Sequence, residues 1–205
     1  MVLNDIDIRE RIAFSKLVEI PEKSYSKCYR YYDYAIQPAS YDLRLSSTFR
    51  SIKALRWLNT DKRYVDIDDK VEYAETVSDD FVVQPGEFVL GMSQEIVHLP
   101  ADLAAMLSPR SSFGRAGLSL SFSTWLNPGY DGRVAIEVFN AGPNPVKLRA
   151  GIRVLQAVFM QLSDKAEISY IGKYQGETEN MGSRLREDFP WKGQRDDRTN
   201  MQDMW

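Results

Sequence analysis

Nine consecutive residues carry the densest chemistry in this sequence: Arg110-Ser111-Ser112-Phe113-Gly114-Arg115-Ala116-Gly117-Leu118. A guanidinium presents a planar fork of N–H donors that matches phosphate oxygens, and serine hydroxyls add short donors beside it. Gly114 and Gly117 allow either a positive φ or the close approach of backbone to an anion. Residue chemistry alone admits two readings: a polyphosphate-binding loop, and a polar turn leading into a strand that begins at Leu118. Further along, Glu137 stands between Ile136 and Val138 in an apolar run. If Val134, Ile136 and Val138 face a core, strand alternation puts Ala135, Glu137 and Phe139 on the opposite face. Glu137 is then either an exposed sheet position or a carboxylate partly desolvated at a cleft or subunit interface and suited to general-base work. Asp42, in Gln37-Pro38-Ala39-Ser40-Tyr41-Asp42-Leu43-Arg44-Leu45, reads as an ion pair or hydrogen bond that orders the fold.

Composition removes several other chemistries. The chain has one Cys (Cys28) and one His (His98). It cannot form an internal disulfide, which suits a reducing compartment, nor a structural zinc site of Cys and His ligands. The His/Cys/Cys or three-Cys set of zinc-dependent nucleobase deaminases is missing as well. His98, in Ile96-Val97-His98-Leu99-Pro100, reads as a strand-end or satisfied core histidine rather than part of a Ser-His-Asp triad. A net charge of −3 argues against a general nucleic-acid surface, so any phosphate site must be a local cluster of Arg and Lys. No apolar run approaches the roughly 18 residues of a membrane span, and no signal peptide is recognisable. The expectation is a soluble, cytoplasmic protein.

The elements that must position these residues are mostly β. With 205 residues, 43% of them apolar, the chain fits one ordinary domain with a substantial core. Residues 3–17 predict a short helix with Asn4 as N-cap, Asp7 completing a capping box and Leu3 with Ile8 as the staple. Tyr25 to Tyr34 reads as an ordered loop. Phe81–Val83 and Glu87–Ser93 predict strands either side of Pro85-Gly86. Pro100 to Leu107 predicts a helical turn or two with Pro100 first. Leu118, Leu120 and Phe122 alternate with serines as a half-buried strand. Asn127-Pro128-Gly129 is a turn, Val134 to Asn140 a second alternating strand, Ala141 to Pro145 a turn, and Ile152 to Leu162 a long strand. Many short strands punctuated by Gly and Pro predict a sandwich or barrel. The stretch from Glu187 to Trp205 is charged and aperiodic, a loose or partner-ordered tail after a domain over 1–186.

Taken in order, these segments resemble the dCTP deaminase family, relatives of the trimeric dUTPases. The match runs through Leu3-Asn4-Asp5-Ile6-Asp7-Ile8, the Gln37 to Leu45 signature, Pro85 to Leu90, Leu99 to Ala104, and Arg110-Ser111-Ser112 with Arg115 and Gly117-Leu118. It continues with Pro128-Gly129-Tyr130, Gly132, Glu137, and Lys173-Tyr174-Gln175-Gly176 with Ser183-Arg184. The resemblance implies a distorted, jelly-roll-like β-sandwich of the dUTPase type, assembled as a homotrimer with active sites between subunits. It implies zinc-free hydrolytic deamination of dCTP to dUTP and ammonia, supplying thymidylate synthesis. Arg110, Ser111, Ser112, Phe113, Gly114 and Arg115 would hold the triphosphate and position water, with Ser111 and Arg115 nearest the chemistry. Glu137 matches the catalytic glutamate that takes a proton from water attacking C4 and returns it to the leaving ammonia. Ala135 and Ile136 would contact base or sugar, Tyr170 and Lys173 would close the site, and Mg²⁺ would arrive with the nucleotide.

Three departures from the family pattern bear on specificity. The segment between Leu118 and Pro128 is one residue shorter, with Thr124, Trp125 and Leu126 replacing an Ala-centred stretch, which opens the site to a modified cytosine. Asn127 stands where the family carries Asp, and an amide cannot accept a proton as the dUTPase Asp does. Glu177 stands where a Gln is usual in the closing segment and would repel the nucleotide or accept hydrogen bonds from an amino-bearing base. The alternatives are therefore a dUTPase or bifunctional enzyme releasing dUMP, against which Asn127 weighs, and a non-catalytic nucleotide-sensing trimer.

Overall fold

The computed structural model describes residues 1–20, 34–54, 64–65, 70–179 and 182–188. Cys28, most of the Tyr25–Tyr34 segment and nearly all of the tail after Glu187 lie outside them. The N-terminal helix α1 spans Asp5–Ser15. Asn4 Oδ1 accepts the Asp7 N–H at 2.9 Å and Asp7 Oδ2 accepts the Asn4 N–H at 3.3 Å, the reciprocal box read from the sequence. Lys16, left-handed at φ 52°, ends the helix at Ser15, two residues short of the expected Leu17. Arg11 then ties α1 to the sheet layers, its guanidinium donating to Asp102 Oδ2 at 2.9 Å and Gln161 Oε1 at 3.2 Å.

The remaining elements are short strands, as their alternation and punctuation predict. In chain order they are β1 (Val18–Glu19), β2 (Ile36–Gln37), β3 (Ser40–Arg44), β4 (Thr48–Ile52), β5 (Tyr73–Val77), β6 (Asp80–Val83), β7 (Phe88–His98) and β8 (Leu103–Pro109). A single helical turn, α2 (Ser111–Arg115), leads to β9 (Leu118–Leu120), β10 (Trp125–Leu126), β11 (Asp131–Asn140), β12 (Val146–Arg149) and β13 (Arg153–Gln161). One sheet runs β5-β4-β7-β11-β9 with β1 also on β7, the other runs β10-β8-β13-β3-β2, and β12-β6 forms a separate ribbon. Their inner faces share one hydrophobic cluster that includes Leu43, Phe49, Val97, Ile136, Leu155 and Phe159. The fold is the β-sandwich with a short N-terminal helix that the sequence predicted.

Strand β3 is buried at every position, so its charged residues need partners. Arg44 and Glu95 form a buried ion pair, and the Arg44 N–H adds a 2.9 Å bond to Glu95 Oε2. Burial pushes the Glu95 carboxyl up, and Arg44 opposes that rise. Asp42 Oδ2 lies 3.2 Å from an Arg153 terminal nitrogen and 3.4 Å from Arg110 Nε, the ordering ion pair expected of it. Its carboxyl is likewise raised by burial against the pull of the two arginines.

Two expectations give way. Pro100 to Leu107 is no helix: after a turn at Ala101-Asp102 the chain runs as β8, because pairing with both β13 and β10 outweighs the helix propensity of its alanines. The strand from Leu118 stops at Leu120. Ser121 takes a left-handed φ of 54°, the alternation changes phase, and Phe122 is 57% exposed rather than core-facing.

Candidate active site

The site grows from β11. Its alternation buries Val134, Ile136 and Val138 and turns Ala135, Glu137 and Phe139 to the other face, as predicted. On one side β9 pairs with its end, Leu120 opposite Val138. The left-handed Ser121 keeps one more bond, donating its N–H to the Glu137 carbonyl at 2.7 Å, and the chain then folds around the Glu137 side chain. The N–H groups of Phe122 and Ser123 donate to Oε2 at 2.6 and 2.7 Å, and the Ser123 hydroxyl donates to Oε1 at 2.9 Å. An ionised carboxylate has about four lone-pair sites. Three are filled here, two on Oε2 and one on Oε1, so the open acceptor position is on Oε1. Glu137 is held in one orientation with a single place for water.

That carboxylate faces a cavity of about 450 Å³. Ala135 and Glu137 form its floor, Ser123, Trp125 and Asn127 one wall, and Phe88, Leu90 and Tyr73 another, with Tyr170 and Tyr174 closing it. Glu137 is its only charged side chain among the described residues. Within the wall, the Trp125 indole N–H donates to Asn127 Oδ1 at 3.1 Å.

The closing segment docks along the Asn127-Pro128-Gly129 turn and the start of β11. Tyr170 donates its N–H to the Pro128 carbonyl at 2.8 Å, Gly176 to Asp131 at 2.8 Å, and Arg133 donates back to the Glu177 carbonyl at 2.6 Å. Gly132, at φ 150°, makes this approach possible: a Cβ there would stand 2.9 Å from both the N and O of Glu177. Glu177 itself is buried, at 5% exposure. Tyr130, beneath it, has its hydroxyl pushed well above the ordinary tyrosine range by burial and then by the nearby Glu177. Beyond Glu177, the Tyr73 hydroxyl accepts the Ser183 N–H at 3.0 Å and the Tyr174 hydroxyl accepts that of Arg184 at 3.2 Å. His98 ends β7 with Nδ1 3.0 Å from Asp131 Oδ1, the strand-end role expected of it.

The structure thus brings Ala135, Glu137, Asn127 and Tyr170 together around one cavity and leaves others elsewhere. The side chain of Ile136 is fully buried in the core. Lys173 sits over the Tyr174 ring at 5.7 Å, outside the lining. Arg110 is held by Asp42, while Ser111, Ser112, Gly114 and Arg115 are exposed on α2 with Phe113 half-buried. None of Arg110 to Arg115 lines the cavity. Gly114 is helical, and only Gly117, at φ 87°, uses glycine's freedom, its Cα face lying against Gly142. Sequence reasoning missed Ser123, Tyr73 and Tyr174. Ser123 was within reach, since a hydroxyl in a tight turn beside the Glu137 carboxylate is a natural donor; the tyrosines come from a strand and a segment whose pairing the sequence does not announce.

Residues 6–162 match the family model described as dCTP deaminase-like. This chain belongs to that family. Among its relatives, the protein named dCTP deaminase, dUMP-forming, of Persephonella marina is 34% identical over 189 residues, covering 90% of this chain and 97% of its own. One of the same name from Methanopyrus kandleri is 37% identical over 194 residues, covering 92% and 97%. The dCTP deaminase of Natronomonas pharaonis is 35% identical over 201 residues, covering 94% and 99%. A solved structure, the 2'-deoxycytidine 5'-triphosphate deaminase of Agrobacterium tumefaciens, superposes with a TM-score of 0.57 at 24% identity, covering 77% of this family member and 47% of that chain, and shares its fold.

Proposed function

We propose that this protein hydrolyses the 4-amino group of dCTP with Glu137 as the base. The observation that carries this reading is the cavity whose one carboxylate keeps a single acceptor position open on Oε1. Water bound there loses a proton to Glu137 as its oxygen bonds to C4. Attack opens the N3=C4 bond; Glu137 passes its proton to the exocyclic nitrogen, the C4 hydroxyl becomes the carbonyl as its own proton ends on N3, the C4–N bond breaks and ammonia leaves, so Glu137 ends as it began. A positioned base of this kind supplies on the order of 10²–10⁴ in rate. The aromatic walls take the pyrimidine, and Ala135 leaves room beneath it.

The triphosphate needs cations that the cavity does not carry. Arg110, Ser111, Ser112 and Arg115 are the donors suited to it, at roughly 1.5–3 kcal/mol for each charge-assisted bond. Because they stand on α2 or at its N-cap and not on the cavity, the reading is a homotrimer in which one subunit supplies Glu137 and its neighbour the arginine turn. Lys173 and Glu177 belong to the segment that closes over the nucleotide. Mg²⁺ enters with the phosphates and offsets their charge, since it prefers phosphate and water oxygens.

The product is the finer question. Relatives with the dUMP-forming name, at 33–38% identity over most of their lengths, favour a second hydrolysis of dUTP to dUMP and pyrophosphate. The dUTP-releasing reading rests on Asn127, whose amide cannot serve as a proton acceptor. One assay separates them: purified protein with dCTP and Mg²⁺, followed for ammonia and pyrophosphate together. Equal release of both supports the dUMP-forming reaction, ammonia alone supports dUTP release, and neither product overturns the deaminase reading.

A further inference from the structure

We infer that Trp125 is a specificity-determining positioning residue that locks the Asn127 amide with its NH₂ group presented to the nucleotide, so that the site selects an acceptor oxygen there. An amide's two ends are nearly alike in shape, and either could face a ligand. Trp125 removes the ambiguity. An indole N–H is a donor only, so the atom it meets at 3.1 Å is Oδ1 and the amino end is directed away from it. No protein acceptor among the described residues takes Asn127 Nδ2, while both Asn127 and Trp125 line the cavity. On the short β10 strand and its continuation, residues two apart share a face, which is what lets the indole reach the amide. The wall therefore offers fixed donors on one side and, at Glu137 Oε1, a fixed acceptor on the other.

This rests on the dCTP reading of the cavity and deepens it. A 2′-deoxycytidine nucleotide carries two oxygens that fit a fixed donor, the pyrimidine 2-carbonyl and the sugar 3′-oxygen. Asn127 and Trp125 are exposed in the free chain, so the penalty arises on binding: a nucleotide seated on the wall shuts out water, and one lacking that oxygen leaves the donor unpaired.

The test is a double-mutant cycle on dCTP binding, measured by calorimetry with Trp125→Phe, Asn127→Ala and the pair, each checked for an unchanged melting temperature. Asn127→Ala should weaken dCTP by about tenfold, the loss of one good hydrogen bond. Trp125→Phe frees the amide to rotate and should weaken it by about three- to fivefold. The double variant should be no weaker than Asn127→Ala alone, because Trp125 acts only through the amide. Asn127→Asp, which puts an acceptor where the donor stood, should bind more weakly than Asn127→Ala. Two further arms locate the oxygen: if 2′,3′-dideoxy-CTP loses the same tenfold with wild type and nothing more with Asn127→Ala, the sugar is the acceptor; if it binds like dCTP, the pyrimidine is. Additive losses in the cycle, or Asn127→Asp binding as tightly as wild type, overturn the inference while leaving the deaminase reading intact. Wild type that fails to bind dCTP overturns both.

Discussion

At the scale of single residues, Glu137 is the place to press. In Glu137→Gln the side-chain carbonyl can still accept the Phe122 and Ser123 N–H groups, and the new amino end can donate to the Ser123 hydroxyl, so the turn keeps its shape. What disappears is the open acceptor on Oε1. Ammonia release should fall below detection while dCTP affinity stays within about tenfold, since the phosphate contacts are elsewhere; a coupled ammonia assay and a binding titration on the same sample decide it. Substantial remaining turnover would remove Glu137 from the role of base. That Glu137 faces away from the core was legible in the sequence, because alternation with Val134, Ile136 and Val138 fixes the face. Its three donors were not, because they depend on Ser121 adopting a left-handed backbone that serine seldom takes. The Trp125 and Asn127 pair lay in between: their spacing puts them on one face, yet the sequence gives no sign that the indole meets the amide.

Among the elements, patterning succeeded where one face of a strand is wet and failed where both faces are covered. β11 and β9 announce themselves by alternation, and α1 by its capping box. β8 reads Leu-Ala-Ala-Met-Leu, a run without alternation because Leu103, Ala104 and Ala105 are buried in succession on both faces, so periodicity could not tell it from a helix. β3 hid for the same reason, with Asp42 and Arg44 sitting as paired charges inside a fully buried strand. The closing segment makes the sharpest prediction at this scale. Gly132→Ala would place a methyl 2.9 Å from the Glu177 backbone at a φ that costs a side chain on the order of 1–3 kcal/mol. The segment over residues 170–179 should lose its hydrogen-exchange protection and the KM for dCTP should rise at least tenfold, with β7 protection unchanged. Protection that survives in 170–179 would show that Gly132 is not what admits the segment.

For the molecule as a whole, the decisive observation is that the Glu137 cavity and the arginine turn do not meet within one chain. Glu137→Gln and Arg115→Ala should each be inactive alone. Mixed as equal parts and allowed to exchange subunits, random trimers contain intact sites in about a quarter of positions, those pairing a normal Glu137 from one chain with a normal Arg115 from its neighbour. Recovery toward a quarter of wild-type turnover would follow if sites are shared, and no recovery would mean that both groups serve from the same chain. The left-handed Ser121 has a different consequence, one that concerns descent rather than catalysis. Because it resets the alternation between Leu120 and Trp125, the ladder before it and the wall after it are independent in register. Losing or gaining a single codon in that turn shifts Trp125 and Asn127 together, disturbs only the two-residue pairing of β10 with β8, and leaves the ladder of β9 on β11 untouched. A lineage can therefore change the ligand this wall recognises in one step of length, where substitution would need several, each with its own intermediate to survive.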